Sequence, residues 1–273
     1  MFMSSPLTGK PPAPAIIDQT DPLANGLVWS WHGCEGNGPQ LCDSVGAVNL
    51  AAVVTGIGWA NGSIPAFGSG IALTVASQRF ASAALPPSLQ VQRPLTIVLG
   101  YRCLGAFTAN TFFFSLGCSA SSPFLTASIF GPTTTGVGLA YGHSTTLAET
   151  STLFTPTVGA DYVIVAVFGT STYALYAFTV GADPVISTGS LTTGAVTYSA
   201  PTISIGQNAT NANSQIYFAH MYNRALAANE AAMWGSAPQR ILRTLWDPAW
   251  MQAASALRFR RTNYNRAGSR GAA

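Results

Sequence analysis

At 273 residues the chain is long enough for one large β-sandwich with a substantial core, or for two small domains. Only 8% of its residues are charged, against about 25% in an average soluble domain. Charge repulsion therefore protects its surface poorly, and much of that surface is expected to be covered by copies of the chain or by partners. No internal repeat of fixed period occurs, which argues against propellers and solenoids.

Residues 1–22 carry Pro6, Pro11, Pro12, Pro14 and Pro22, a composition that favours an extended N-terminal arm over a packed element. The same stretch lacks a basic region followed by an apolar one, so no secretory signal is visible and synthesis in a cytoplasm is expected. Strands are predicted at 71–75, 95–103, 112–116, 124–130 and 202–206, separated by clusters of Gly, Pro, Ser and Asn. Many short strands at this spacing predict a sandwich. Residues 162–182 form a 21-residue run without a charge. Gly169-Thr170-Ser171-Thr172 splits that run into β-branched and aromatic halves, 162–168 and 173–180, which predicts a hairpin of buried strands and no membrane span.

Residues 215–222 alternate as a strand with both faces in use, Ile216, Phe218, His220 and Tyr222 on one side and Tyr217, Ala219 and Met221 on the other. They run through Asn223-Arg224-Ala225-Leu226 into a helix predicted at 227–234. This join resembles the laminin-G-like, concanavalin A-like jelly rolls, in which the last strand leads through an Asn-Arg-x-Leu turn to a helix bearing a Glu. Asn223, Arg224, Leu226 and Glu230 match that pattern. Ala227 stands where the pattern has a capping Ser or Thr, which is expected to weaken the helix start by roughly 1 kcal/mol. Upstream, Asn25-Gly26-Leu27-Val28-Trp29-Ser30-Trp31 resembles the family's opening strand, and Cys42-Asp43-Ser44-Val45-Gly46 its D-x-x-G turn. The resemblance covers residues 23–238. It implies an all-β, concanavalin A-like jelly-roll sandwich of two antiparallel sheets with one short C-terminal helix. The architecture hosts lectins, glycosidases, adhesins and viral structural proteins, so it leaves function open.

Catalysis finds little support among the nine acids, Asp18, Asp21, Glu35, Asp43, Glu149, Asp161, Asp183, Glu230 and Asp247. Glycoside hydrolysis needs two carboxylates about 5–10 Å apart, and the Glu-x-Asp-x-x-Glu strand of the jelly-roll glucanases is missing. Glu35 and Asp43 in the early loop remain able to face another acid across the fold. His32, His143 and His220 lie too far apart for a local zinc motif, and His220 is expected to be a hydrogen-bonded or interface histidine. Gly9-Lys10 lacks the rest of a phosphate-binding loop. No enzymatic activity and no cofactor are therefore expected. Related folds often bind calcium at a sandwich edge, but the loop Asn208-Ala209-Thr210-Asn211-Ala212-Asn213 offers only neutral oxygens, a weak calcium site at best. Cys34, Cys42, Cys103 and Cys118 allow three disulfide pairings, with free buried thiols the default where no secretory signal is seen.

Residues 239–273 differ from the body. From Pro238 onward the chain holds seven of its twelve basic residues, all arginine, with Asp247 as its one acid there. Arginine without lysine suits bidentate contacts with carboxylates, phosphates or carbonyls. Ile241, Leu242, Leu245, Trp246, Trp250, Met251 and Leu257 add apolar groups that would be costly to leave in water. A C-terminal docking arm is predicted, with Arg240, Arg243, Trp246, Trp250, Arg258, Arg260 and Arg261 as its contacts. A solvated tail is the alternative. No helix-turn-helix, zinc module or stacking platform accompanies the charge, so nucleic acid is not the expected partner.

The expected role is a virion structural protein, a bacteriophage capsid decoration or cement protein held on the major capsid protein or other virion proteins by its arms, with self-association likewise expected. The rival is a carbohydrate-binding module of a tail fibre or spike. Trp29, Trp31, Trp59 and Tyr141 are its candidate aromatics for a host glycan.

Overall fold

A computed structural model of the chain describes residues 15–33, 38–45, 48–53, 56–61, 69–117, 125–143, 146–179, 182–192, 201–206, 212–238 and 241–244. Its strands are β1 (Ala15–Ile17), β2 (Leu27–Trp31), β3 (Gln40–Leu41), β4 (Leu50–Ala52), β5 (Gly58–Asn61), β6 (Ser69–Leu73), β7 (Arg79–Ala81), β8 (Leu95–Cys103) and β9 (Thr111–Gly117). There follow β10 (Leu125–Gly131), β11 (Gly138–His143), β12 (Thr146–Glu149), β13 (Asp161–Phe168), β14 (Thr172–Thr179), β15 (Val185–Ser190), β16 (Thr202–Gly206) and β17 (Ser214–Tyr222). Helix α1 (Ala228–Ser236) and strand β18 (Leu242–Thr244) are the last elements among the described residues.

Two antiparallel sheets stack as a sandwich. One runs β12-β11-β10-β9-β16-β7-β4-β3, the other β15-β14-β13-β8-β17-β6-β5, with β2 also paired to β17. The all-β sandwich expected from the sequence is the observed one. The main core fills the space between the sheets with Trp29, Trp31, Phe80, Phe113, Phe114, Leu139, Ile164 and Ile216, all fully buried. A second apolar cluster lies on the outer face of the β13-β8-β17 sheet, beneath α1.

Strand β13 shows why the first half of the uncharged run, 162–168, is hydrophobic throughout. Tyr162, Ile164, Ala166 and Phe168 enter the main core, whereas Val163, Val165 and Val167 enter the second cluster. A strand buried on both faces loses the polar alternation of an exposed sheet. No helix of the described residues is long and apolar enough to cross a membrane.

Short strands from the two flanking segments pair with each other. Ala15 pairs with Thr244, Ile16 with Arg243 and Ile17 with Leu242, while Ile17, Ile241 and Leu242 are buried in the second cluster. The body thus reaches back into the Pro-rich segment and forward past Pro238. Arg243, expected as a docking contact, sits in this paired strand.

The Asn-Arg-x-Leu signature has a local mechanism. Arg224 donates through Nε to the Asn25 carbonyl at 2.8 Å and forks onto Glu230, Nη1 to Oε2 at 2.7 Å and Nη2 to Oε1 at 2.6 Å. The Asn223 N–H donates to the Gly26 carbonyl at 2.9 Å. Gly26 has φ +75°, and a Cβ there would meet Asn223 Oδ1 at 2.9 Å, so glycine is required on both counts. Thr96 Oγ1 donates to the Arg224 carbonyl and accepts from the Leu226 N–H. Ala227 supplies no side-chain cap, but the Glu230 carboxylate accepts from its N–H at 2.8 Å, which keeps one half of a capping box.

The Arg224 fork, aided by the Ala227 N–H, holds the Glu230 carboxyl below its ordinary range. A depressed folded-state value means that this stabilisation is present above about pH 4.3, the unfolded carboxyl's range, and is lost as pH falls through the lower folded value. Glu230→Gln should therefore cost about 1 kcal/mol near neutral pH, with the gap from wild type closing in acid. Denaturant titrations at several pH values check this, and a gap that widens in acid would contradict it.

Candidate functional site

A cleft opens at the edge where the two sheets part, between β5 on one side and β3 and β4 on the other. Gly38, Pro39, Ala52, Val53, Gly56, Ile57 and Trp59 line a space of about 360 Å³, at the small end of ligand sites (roughly 300–1,000 Å³). Trp59 is half-buried. Its place in β5 is set by the ladder to Ile71 of β6, and its ring meets the buried Trp31 edge-on at 6.3 Å. Its indole N–H donates to the Gly38 carbonyl at 3.3 Å.

The lining on both sides is held by further bonds. Gln78, buried, donates through Nε2 to the Gly56 carbonyl at 3.2 Å and accepts from the Thr74 and Val75 N–H groups at 2.7 and 2.9 Å. The Ala52 N–H donates to the Pro39 carbonyl at 2.7 Å. Trp59 thus lines the cleft beside aliphatic side chains and backbone carbonyls, which suits a ligand with one apolar face and hydroxyl donors.

The other three candidate aromatics do not reach a ligand. Trp29 and Trp31 are fully buried in the main core, because both point inward from β2. Trp29 donates its indole N–H to the Val48 carbonyl at 2.9 Å and packs 5.9 Å from Phe114. Tyr141 is 6% exposed, its hydroxyl accepts from the Thr192 N–H, and the Arg93 guanidinium lies 5.5 Å from its ring centroid. A sugar cannot stack on any of these three in this fold.

A second depression, about 530 Å³, lies on the outer face of the other sheet edge and includes Val167, Ala174, Tyr176, Thr188 and Leu226. Its Tyr176 is stacked on Phe178 at 6.2 Å. It is the structural control for the Trp59 cleft.

The described acids mostly carry structural loads. Asp43 is buried and accepts from three backbone N–H groups. Asp161 is buried, accepts from the Tyr217 hydroxyl at 2.6 Å and lies 3.9 Å from Arg102 Nε. Asp18 and Asp21 accept from the Thr20 and Leu23 N–H groups, and Glu230 is forked by Arg224. Glu35 and Asp247 lie outside the described residues.

His220 is fully buried, as its strand position suggested, and it belongs to a network that sequence reading did not find. Ser30 Oγ lies 2.8 Å from His32 Nε2 and 2.9 Å from His220 Nδ1, and the two rings sit 4.7 Å apart. Ser30 and His220 are cross-strand partners between β2 and β17, a juxtaposition across 190 residues that no local spacing reveals.

Cys103 is a buried free thiol whose Sγ–H reaches the Gly105 carbonyl at 3.3 Å, while Cys34 and Cys118 lie outside the described residues. So do Arg240, Trp246, Trp250, Arg258, Arg260 and Arg261 of the expected docking arm, and Asn208 to Asn211 of the calcium candidate. Among the described residues no group of three or more His, Cys, Asp or Glu side chains could hold a metal ion.

No protein-family model and no curated protein matches the sequence. Solved structures do. Trypanosoma rangeli sialidase in complex with sialic acid superposes with a TM-score of 0.56 at 15% identity, covering 79% of this chain and 33% of the sialidase. The binding domain of botulinum neurotoxin DC in complex with rat synaptotagmin II gives 0.55 at 10% identity, covering 78% and 51%. Domain 4 of AbnA, a GH43 extracellular arabinanase from Geobacillus stearothermophilus, in complex with arabinotriose, gives 0.51 at 17% identity, covering 77% of this chain and 98% of that domain. The chain spans about a third of the sialidase's length. At these identities the likeness establishes the sandwich fold that the chain shares with them.

Proposed function

We propose that this chain is a non-catalytic carbohydrate-binding β-sandwich that holds a saccharide in the Trp59 cleft. The observation that carries the reading is a half-buried tryptophan beside aliphatic side chains and backbone carbonyls at an open sandwich edge. Support also comes from a neighbour in fold, domain 4 of the arabinanase, whose name includes arabinotriose as a ligand. The engagement of Asp43, Asp161 and Glu230 in structural bonds favours binding over hydrolysis. Glycan-array screening followed by calorimetry tests it. Trp59→Ala is expected to weaken binding at least ~10-fold, since stacking on an aromatic anchor carries much of a small site's affinity, while Tyr176→Ala keeps wild-type binding. Loss with Tyr176→Ala alone would move the site to the second depression.

The setting we propose is a bacteriophage particle, on which the module is displayed by its Arg-rich C-terminal segment. The pairing of Ala15 with Thr244 supports it, because it brings the described ends of the Pro-rich and Arg-rich segments together at one place. Co-sedimentation of the full-length protein with particles of its source should be lost when Arg258, Arg260 and Arg261 are all changed to Gln. Unchanged co-sedimentation would remove the docking role from these arginines.

A further inference from the structure

If the Trp59 cleft is a saccharide site, as proposed above, its chemistry also selects the class of saccharide. We infer that it takes an uncharged sugar presenting an apolar C–H face, with a methyl group as in a 6-deoxy or N-acetylated residue as the best fit, and that it rejects carboxylated and sulfated sugars.

Three observations lead there. The first is the lining. Pro39, Ala52, Val53, Ile57 and the Trp59 ring are apolar, and none of the seven lining residues is charged. An anionic sugar would give up its hydration without gaining a counter-charge, a steep cost in a partly dry site.

The second is the sign of the polar groups. The Gly38 and Gly56 carbonyls are acceptors, each already receiving one N–H, from Trp59 Nε1 and Gln78 Nε2 respectively, and each retaining a second lone pair. Those two N–H groups are thereby committed. The second lone pairs of these two carbonyls offer acceptance, which a sugar hydroxyl or an N-acetyl N–H can use. A carboxylate or sulfate needs donors.

The third concerns the sequence around the lining. The segments that border these positions along the chain, 34–37, 54–55 and 62–68, contain a single charged residue, Glu35, and it is an acid. Whatever their placement, they cannot supply a cation. Among the described residues, Arg79 is bonded next to the lining through its backbone, the Val53 N–H donating to its carbonyl at 3.0 Å, and Arg79 is not itself a lining residue. The volume, about 360 Å³, suits one or two sugar rings at a chain end better than a long polysaccharide stretch.

The test uses the full-length protein and matched pairs: lactose against 3′-sialyllactose, and the methyl glycosides of rhamnose, glucose, N-acetylglucosamine and glucuronic acid, titrated by calorimetry at low and high salt. The expected result is binding of neutral sugars at least ~10-fold tighter than of their acidic counterparts, insensitive to salt, and lost in Trp59→Ala. Val53→Lys, at a position 47% exposed and so tolerant of change, should weaken neutral sugars and raise 3′-sialyllactose relative to lactose. Preference for 3′-sialyllactose that weakens with salt and disappears in Arg79→Gln would overturn the inference while leaving a saccharide site in place. Failure of every sugar, neutral and acidic, with Trp59→Ala unchanged from wild type would instead bring down the saccharide reading itself.

Discussion

Trp234→Ala is expected to lower the unfolding free energy by about 3–5 kcal/mol, the range for emptying a fully packed tryptophan site, and the melting temperature by on the order of 10 °C for a domain of this size. Helix α1 spans nine residues, too short to hold together in water on its own (isolated helices need roughly 12–15). Its N-terminus has an alanine where a hydroxyl would cap it. Its anchorage is correspondingly local. Only Ala231 and Trp234 of the helix are buried, and Trp234 lies fully inside the second cluster, stacked on Phe218 at 6.1 Å and on His220 at 4.6 Å. Without the indole the helix loses its largest apolar contact, leaving Ala231 and the half-buried Met233 against the second cluster, and Val163, Val165 and Phe218 gain access to water. Trp234→Phe should recover a large part of the loss, since a ring still covers His220. Urea unfolding monitored by circular dichroism measures both variants, and a loss below about 1 kcal/mol for the alanine variant would mean that α1 is not integral to the folded unit.

The long strands were legible in the sequence and the shortest ones were not, for a physical reason. Strand β8 was expected at 95–103 and β16 at 202–206, and both occur with those bounds. Central strands are bounded by turn residues and made of β-branched and aromatic side chains because both neighbours and one or both faces are protein. The segments Gln40–Leu41, Leu50–Ala52, Gly58–Asn61 and Arg79–Ala81 are two to four residues long, shorter than any periodicity can reveal. Val185–Ser190 is an edge strand with Val185 and Ile186 exposed, so burial imposes no alternation on it. The β1–β18 pair joins residues more than two hundred positions apart, beyond local pattern. The candidate aromatics illustrate the same limit. Trp29 and Trp59 both sit in strands, and nothing local says that one points between the sheets while the other stands at an open edge. Gly38 and Gly56, which meet Trp59 in the cleft, read only as turn residues.

Asp43→Ala is expected to cost about 3 kcal/mol or more, because it would orphan backbone donors that a carboxylate now holds, at roughly 1–3 kcal/mol for each that stays buried. One oxygen accepts from the Ser30 N–H at 3.0 Å and the Val45 N–H at 2.9 Å, and the other accepts from the Val48 N–H at 3.0 Å. The turn is tied from its other side as well, with the Asp43 N–H donating to Asn49 Oδ1 at 2.9 Å and the Ser44 N–H to the Ser30 carbonyl at 2.7 Å. This is what the aspartate of the D-x-x-G pattern does here: it gathers the N–H groups of the turn and clamps them to β2. The clamp also sets Trp29, whose indole N–H reaches the Val48 carbonyl, and through Trp29 the packing on Phe114 in the main core. Asp43→Asn separates charge from shape. Its amide keeps one acceptor oxygen, but its NH₂ would face either Val48 N–H or the pair at Ser30 and Val45, so a loss of about 1–2 kcal/mol is expected. Saccharide binding by the folded asparagine variant should equal wild type, because no atom of Asp43 lines the Trp59 cleft. Loss of binding without loss of stability would instead make Asp43 a ligand contact, and alanine and asparagine variants both within about 0.5 kcal/mol of wild type would show that the clamp contributes little.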